Sequence, residues 1–253
     1  MILTPLTGLP LVYPGDNIAE LIQNELRRLK IKVESGDVFV IAQKIVSKSE
    51  GRLVNLTQVT PSREAIELAD RVQKDARFVE LILRESKSVL RTRPGTLIVE
   101  HKLGFICANA GIDHSNVQGP WGNPEDWVLL LPENPDLSAS QIRDGLEKSE
   151  NARLGVIIID SHGRAWRNGI VGATIGLSGV PGLVDLRGVP DLFGYQLRIT
   201  QVAAADELAA GASLLMGQAA EKSPVVYVHG FPYPLREASL RELIRPENED
   251  LFR

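Results

Sequence analysis

Cysteine is nearly absent: Cys107 is the single one in 253 residues, so the chain can form no internal disulfide and no cysteine-based zinc cluster. That usage suits a reducing cytosol, and a cytoplasmic location is expected. An excess of positive charge is lacking too. With 28 Lys and Arg against 32 Asp and Glu the net charge is -4, which supplies no general attraction to a polyanion and excludes nucleic acid as the main partner. No apolar run approaches the roughly 20 residues of a membrane helix, and the first residues meet Pro5 and Pro10 without a basic leader. The chain is expected neither to cross nor to enter a membrane.

Familiar catalytic signatures are also missing. Residues 217–223 imitate a phosphate-binding loop, but no glycine precedes Lys222, and the segment follows a predicted helix where a P-loop follows a strand. Gly169, Gly172, Gly176 and Gly179 do not spell the dinucleotide fingerprint, and HExxH, CxxC and GxSxG do not occur.

What is present is an ordinary globular composition, 43% hydrophobic and 24% charged, long enough to bury a core and free of repeats. Residues 17–29 set Ile18, Leu21, Ile22, Leu26 and Leu29 at helical spacing, with Asp16 as the cap. Residues 37–46, rich in Val, Ile and Phe, predict one buried strand with a charged tail through Arg52. Thr60-Pro61 opens a helix to about Lys74, and residues 77–86 give a second. Paired strands at 97–101 and 105–108 precede a loop over 109–126 rich in Gly, Asn, Asp and Pro. A strand at 127–131, a helix at 138–148 and an apolar strand at 154–159 that ends at Asp160 come next. A glycine-punctuated segment at 169–179, a helix near 200–217, a strand at 225–228 and a short helix at 238–244 complete the chain. Without one βαβ rhythm the expected fold is mixed α/β (α+β), neither P-loop nor Rossmann, in one domain over 1–253 or two intertwined subdomains.

Polar residues at strand ends are the chemical candidates. Asp113 lies just beyond an apolar strand, and Asp160-Ser161 closes Val156-Ile157-Ile158-Ile159. Carboxylate, hydroxyl and amide oxygens are hard ligands that suit Mg²⁺ or Mn²⁺ bridging nucleotide phosphates, although each residue taken singly reads as an ordinary turn or cap. Lys44 and Lys48 flank Ile45-Val46-Ser47, and Arg164 and Arg167 follow Asp160-Ser161-His162-Gly163; these cations suit phosphate or carboxylate groups, or else a solvated edge. His114 and His162 neighbour the aspartates without metal-ligand spacing, which places them beside a ligand or on the surface. Cys107, on an apolar strand, reads as core.

Seven segments carry a resemblance. They are Thr7-Gly8-Leu9-Pro10-Leu11, Gln43-Lys44-Ile45-Val46-Ser47-Lys48-Ser49-Glu50-Gly51-Arg52, and Leu81-Ile82-Leu83-Arg84-Glu85-Ser86. Next come the stretch from Glu100-His101-Lys102-Leu103-Gly104 to Ile112-Asp113-His114-Ser115-Asn116, and Asp160-Ser161-His162-Gly163-Arg164-Ala165-Trp166-Arg167-Asn168-Gly169. Ala204-Ala205-Asp206-Glu207-Leu208-Ala209 and Leu215-Met216-Gly217-Gln218 follow. In this order they resemble the coenzyme F420:L-glutamate ligase family, the γ-glutamyl ligases that extend the deazaflavin cofactor.

The resemblance implies a mixed α/β fold unlike the common nucleotide-binding folds, in an intertwined homodimer. It implies an amide-forming ligase that uses GTP and divalent metal to join L-glutamate to a carboxylate on the deazaflavin precursor's phospholactyl tail, with γ-linked extension after it. Asp113, Asp160 and Ser161 match metal positions, and Gln218 matches one that completes a second metal's shell; two Mg²⁺ or Mn²⁺ ions are implied, with K⁺ as a further ion. Ser161 stands where many relatives carry threonine, and the hydroxyl is kept. Leu9, Pro10, Leu11, Gln43, Lys44, Lys48 and Asn116 match nucleotide contacts. A carboxylate acylates poorly until it is phosphorylated, so such a ligase passes through an acyl phosphate and must neutralise charge on the transferring group. Physics assigns Arg164 and Arg167 to phosphate or substrate carboxylates, and Lys48 to phosphate as a point charge rather than a general base. Some relatives continue into a flavin-reductase-like domain, whereas the ending Glu249-Asp250-Leu251-Phe252-Arg253 reads as the stand-alone form. The rivals are the same enzyme class with another acceptor or amino acid, and a catalytically silent nucleotide-binding module.

Overall fold

The computed structural model describes residues 1–250, so Leu251, Phe252 and Arg253, part of the ending read as the stand-alone form, lie outside the described residues. The chain opens with β1 (Ile2–Leu6) and α1 (Ile18–Leu29). Asn17, not Asp16, caps α1: its side chain accepts from the Glu20 N–H, while the Asp16 carboxylate accepts from the Tyr13 N–H at 2.7 Å. The helix buries Ile18, Ile22 and Leu26, each contributing about 1.5–3 kcal/mol of transfer free energy.

The expected strand over 37–46 is two elements. β2 (Val38–Ala42) passes directly into α2 (Gln43–Ser49). Ile45 and Val46 extend the apolar run but sit at helical spacing, packing into the core with Ile18 and Ile22, and the Ser47 hydroxyl donates to Gln43 Oε1 one turn back at 2.9 Å. After β3 (Leu53–Asn55) come α3 (Arg63–Val72) and α4 (Ala76–Glu85). The cap of α3 is Ser62, which accepts from the Ala65 N–H, in place of the expected Thr60. β4 (Ser86–Arg93), a polar strand that was not expected, joins β5 (Thr96–His101) and β6 (Ile106–Ala108) in an antiparallel sheet.

β7 (Trp127–Leu129) pairs with β3, and α5 (Pro135–Glu150) leads into β8 (Gly155–Arg164). β8 does not end at Asp160. It runs on to Arg164, turns at Ala165-Trp166 and returns as β9 (Arg167–Ser178), with Asp160 opposite Ala173 and Ser161 opposite Gly172. β10 (Val184–Asp185), β11 (Gln201–Val202), α6 (Ala204–Met216) and β12 (Val225–His229) follow, and the expected helix at 238–244 is a single 3₁₀ turn, Leu240–Glu242.

Five strands form the central sheet in the order β1-β12-β2-β8-β9, antiparallel except for the β2–β8 pair. Side chains alternate between its faces. Phe39, Ile41, Val156 and Ile158 pack with α1 and α5, while Val38, Val40, Ile157 and Ile159 pack with Leu208, Ala209 and Ala212 of α6. Both faces are covered, which is why these strands read as unbroken apolar runs. A second core gathers α3, α4 and the β4–β6 sheet around Val72, Val79, Ile82, Leu97, Val99 and Cys107. The architecture is mixed α/β. No helix among the described residues is long and apolar enough to cross a membrane.

Candidate active site

The parallel pair places two polar groups side by side. Ala42 of β2 lies opposite Ile159 of β8, so Gln43, which leaves the sheet into α2, stands beside Asp160, which continues in β8 paired with β9, at the strand ends where ligands of open α/β sheets collect. From Gln43 the helix α2 sets Lys44 and Lys48 one turn apart on one face.

Asp113 arrives from the loop after β6. Asn109, Ala110 and Gly111 all take left-handed φ angles of 51°, 54° and 65°, a costly run for non-glycine residues. It is held by the Asn109 side chain, which accepts from the Leu97 N–H, and by paired backbone bonds of 2.9 Å between Asp113 and Leu129. The Asp113 carboxylate accepts from Gln43 Nε2 at 2.7 Å and lies 3.2 Å from Lys44 Nζ. Burial pushes its pKa up to about 6; the nearby Asp160 charge adds to this, while Lys44 and Gln43 oppose it. Lys44 Nζ also donates to the Ser115 hydroxyl and carbonyl, and Lys48 Nζ donates to the Asn116 carbonyl at 2.8 Å. Burial, then the Lys44 charge, lowers the proton affinity of Lys48, and Asp113 raises it.

A third wall follows α6. Gly172 admits this helix, because a Cβ there would lie 2.6 Å from the Ala209 carbonyl oxygen. The close approach lets Gln218 reach β8: Ser161 Oγ donates to Gln218 Oε1 at 2.9 Å, and Gln218 Nε2 donates to Ser213 Oγ. Asn116 Nδ2 donates to the Ala219 carbonyl, joining this wall to the Asp113 loop.

These walls enclose an open cleft of about 1080 Å³. It brings together Leu11, Gln43, Lys44, Lys48, Asp113, Asn116, Asp160, Ser161 and Gln218 of the sequence candidates. Leu9 and Pro10 are outside its lining. Leu9 packs on the core beside a backbone anchored by the Glu25 carboxylate, which accepts from the Gly8 N–H at 2.7 Å. Arg164 and Arg167 are also outside, at the exposed tip of the β8–β9 hairpin, where Arg164 donates to the Asn168 carbonyl. Sequence reasoning missed Tyr13, Ser213 and, apart from Gln218, the lining of 217–224. The near-miss phosphate loop at 217–223 was the available signal for the last.

His101 lies under the cleft, 3% exposed, with its Nδ1 accepting from the Leu103 N–H. Burial lowers its pKa to about 4. The unfolded chain protonates this imidazole near pH 6.5 and the folded one near 4, so in this window the unfolded state binds more protons, and stability rises with pH and is lost as pH drops from 6.5 to 4. Wild type should lose up to about 3 kcal/mol from this group between those limits, and His101→Asn should remove that part of the slope in urea melts. An unchanged slope would contradict the assignment.

The family model for F420-0:Gamma-glutamyl ligase matches residues 8–230. The coenzyme F420:L-glutamate ligase of Methanopyrus kandleri is 45% identical over 246 residues, 96% of this chain and 93% of that protein. Those of Methanocaldococcus jannaschii and Archaeoglobus fulgidus are each 43% identical, covering 97% and 98% of this chain and 94% and 95% of theirs. The chain belongs to the F420-0:gamma-glutamyl ligase family. It is a ligase.

In this ligase the oxygen donors of the cleft could hold a hard divalent cation. Two carboxylates close enough for one to raise the other's proton affinity, with a hydroxyl and an amide oxygen 2.9 Å apart lining the same cleft, are the kinds of donor Mg²⁺ and Mn²⁺ accept. Among the described residues no three His, Cys, Asp or Glu side chains cluster for a metal, so water and phosphate oxygens would complete the shell, as is usual for Mg²⁺.

Proposed function

We propose that the chain is a GTP-dependent ligase that joins the amino group of L-glutamate to the phospholactyl carboxylate of the deazaflavin precursor, with γ-linked extension after it. The glutamate and cofactor follow from the relatives' names. The observation that carries the reading is the meeting of Lys44 and Lys48 with Asp113, Asp160, Ser161 and Gln218 in one cleft. Such a cleft offers cations for phosphate and oxygens for metal.

In the first step the acceptor carboxylate attacks the γ-phosphorus of GTP, GDP leaves, and an acyl phosphate forms. The glutamate amine then attacks the acyl carbon, phosphate departs, and the amine gives up a proton to leave the amide. Lys44 and Lys48 hold phosphate charge, while Gln43, Asn116 and, of the segment Leu9-Pro10-Leu11, the cleft-lining Leu11 hold the nucleotide. Asp113, Asp160, Ser161 and Gln218 would hold two Mg²⁺ or Mn²⁺ ions, with K⁺ as a further ion. When bound, these metals supply charge neutralisation on the transferring phosphoryl group. Arg164 and Arg167, carried out on the hairpin, are available to a substrate carboxylate or phosphate.

A homodimer fits the exposed apolar side chains of the segment between β10 and β11, where Leu192, Phe193 and Ile199 are each more than four-fifths exposed. The buried, unpaired Cys107 suits a reducing cytosol.

Purified protein with GTP, Mn²⁺, L-glutamate and the unglutamylated cofactor should yield a product heavier by one glutamyl unit. Absence of that product under every divalent metal would reject the reading. Nucleotide turnover that needs both acceptor and amino acid separates a ligase from a silent binding module, and turnover with another acid or amine would identify the rival ligase.

A further inference from the structure

His162 follows Asp160 by two positions in β8, so the two side chains share one face of the strand, opposite to the face of Ser161. His162 Nε2 lies 3.1 Å from Asp160 Oδ2, is shielded from solvent and has no other hydrogen-bond partner; its present alignment stops short of a hydrogen bond to the carboxylate. The ring is fixed from behind. It packs on Phe105 with centroids 5.1 Å apart, and Phe105 stacks on buried His101 at 5.2 Å with planes 9° apart. His101 is in turn pinned by the Leu103 N–H. On its open side His162 borders the cleft.

A buried imidazole nitrogen beside a carboxylate and without a hydrogen bond is costly. A small rotation of either group closes the bond, provided the proton sits on Nε2, because two facing acceptors would repel. Asp160 is also the carboxylate whose charge bears on Asp113, so its orientation affects both acidic groups.

We propose that His162 is a positioning residue that donates its Nε2 hydrogen to Asp160 Oδ2, fixes the carboxylate rotamer and leaves Oδ1 as the oxygen available to a divalent cation. This inference rests on the metal-holding role given to Asp160 above. Partners that orient metal-binding groups in this way typically contribute 10–100-fold in affinity.

The test is Mn²⁺ binding to the substrate-free protein, followed by titration calorimetry. His162→Phe keeps the ring packed on Phe105 but removes the donor, and it should weaken Mn²⁺ binding roughly 10–100-fold with the circular dichroism spectrum unchanged. His162→Gln keeps an N–H donor and should recover most of that loss, which a purely packing role would not allow. Wild-type affinity in His162→Phe, or equal losses in the Phe and Gln variants, would overturn the inference while leaving the metal reading intact. If the wild-type protein binds no Mn²⁺, or Asp160→Asn binds it as wild type does, the role of Asp160 itself fails and the inference falls with it.

Discussion

Asp113→Asn and Asp160→Asn should each lower the rate of glutamyl transfer by roughly 10²–10³-fold, the range seen when one preorganised electrostatic group is removed from a transition state. Each change deletes a negative charge from the cleft and almost no volume. Asp113→Asn should also leave the apo-protein at least as stable as wild type near neutral pH. Its carboxylate is held toward the neutral form by burial and by Asp160, so an amide removes a cost that the native state carries. Product formation and urea midpoints measured together check both statements. A double variant that still forms the amide would return the two aspartates to ordinary loop and strand roles.

Lys48→Met should weaken nucleotide binding and slow phosphoryl transfer by roughly 10–100-fold, the worth of one hydrogen bond to a charged group. Lys48 does not trail from the end of a strand. It stands one turn beyond Lys44 on α2, with Nζ held by the Asn116 carbonyl. Like charges at this spacing disfavour each other on a bare helix, and an anion between them turns the cost into a gain. Burial and the Lys44 charge lower the proton affinity of Lys48, and a bound phosphate would raise it. Supplying pre-formed acyl phosphate separates the steps: restored amide formation supports a role in phosphoryl transfer, and failure despite normal GTP binding contradicts it.

Periodicity revealed the elements whose burial is one-sided, such as α1 with Ile18, Ile22 and Leu26. It failed where two elements share one apolar run. Phe39, Val40 and Ile41 belong to a strand and Ile45 and Val46 to a helix, and no turn residue separates them; only packing against Ile18 and Ile22 decides. β8 was shortened for the opposite reason. Its polar second half, from Asp160 to Arg164, leaves the core yet keeps pairing with β9, and backbone pairing leaves little trace in side-chain pattern. β4 escaped notice likewise, since Ser86–Arg93 is polar and its register with β5 carries two irregularities.

The candidate site shows the same division. Residue chemistry and family resemblance singled out Asp113, Asp160, Ser161, Lys44 and Lys48. Their convergence depends on the β2–β8 register and on the Asp113–Leu129 bridge, neither of which has a local signature. Arg164 and Arg167 looked equivalent to the lysines in sequence, but the hairpin carries them to an exposed tip.

The parallel join of β2 to β8 also bears on how this molecule is made. Val38 meets Gly155 only after the whole excursion through α3, α4 and the β4–β6 sheet has been closed as a loop, and parallel pairings across long excursions form slowly. Helices and hairpins can therefore recover their circular dichroism in a refolding chain while Gln43 and Asp160 are still strangers. Regain of ligation, not of ellipticity, is the clock for the final zipping of the sheet, and a newly made chain stays inert until that strand pair has closed.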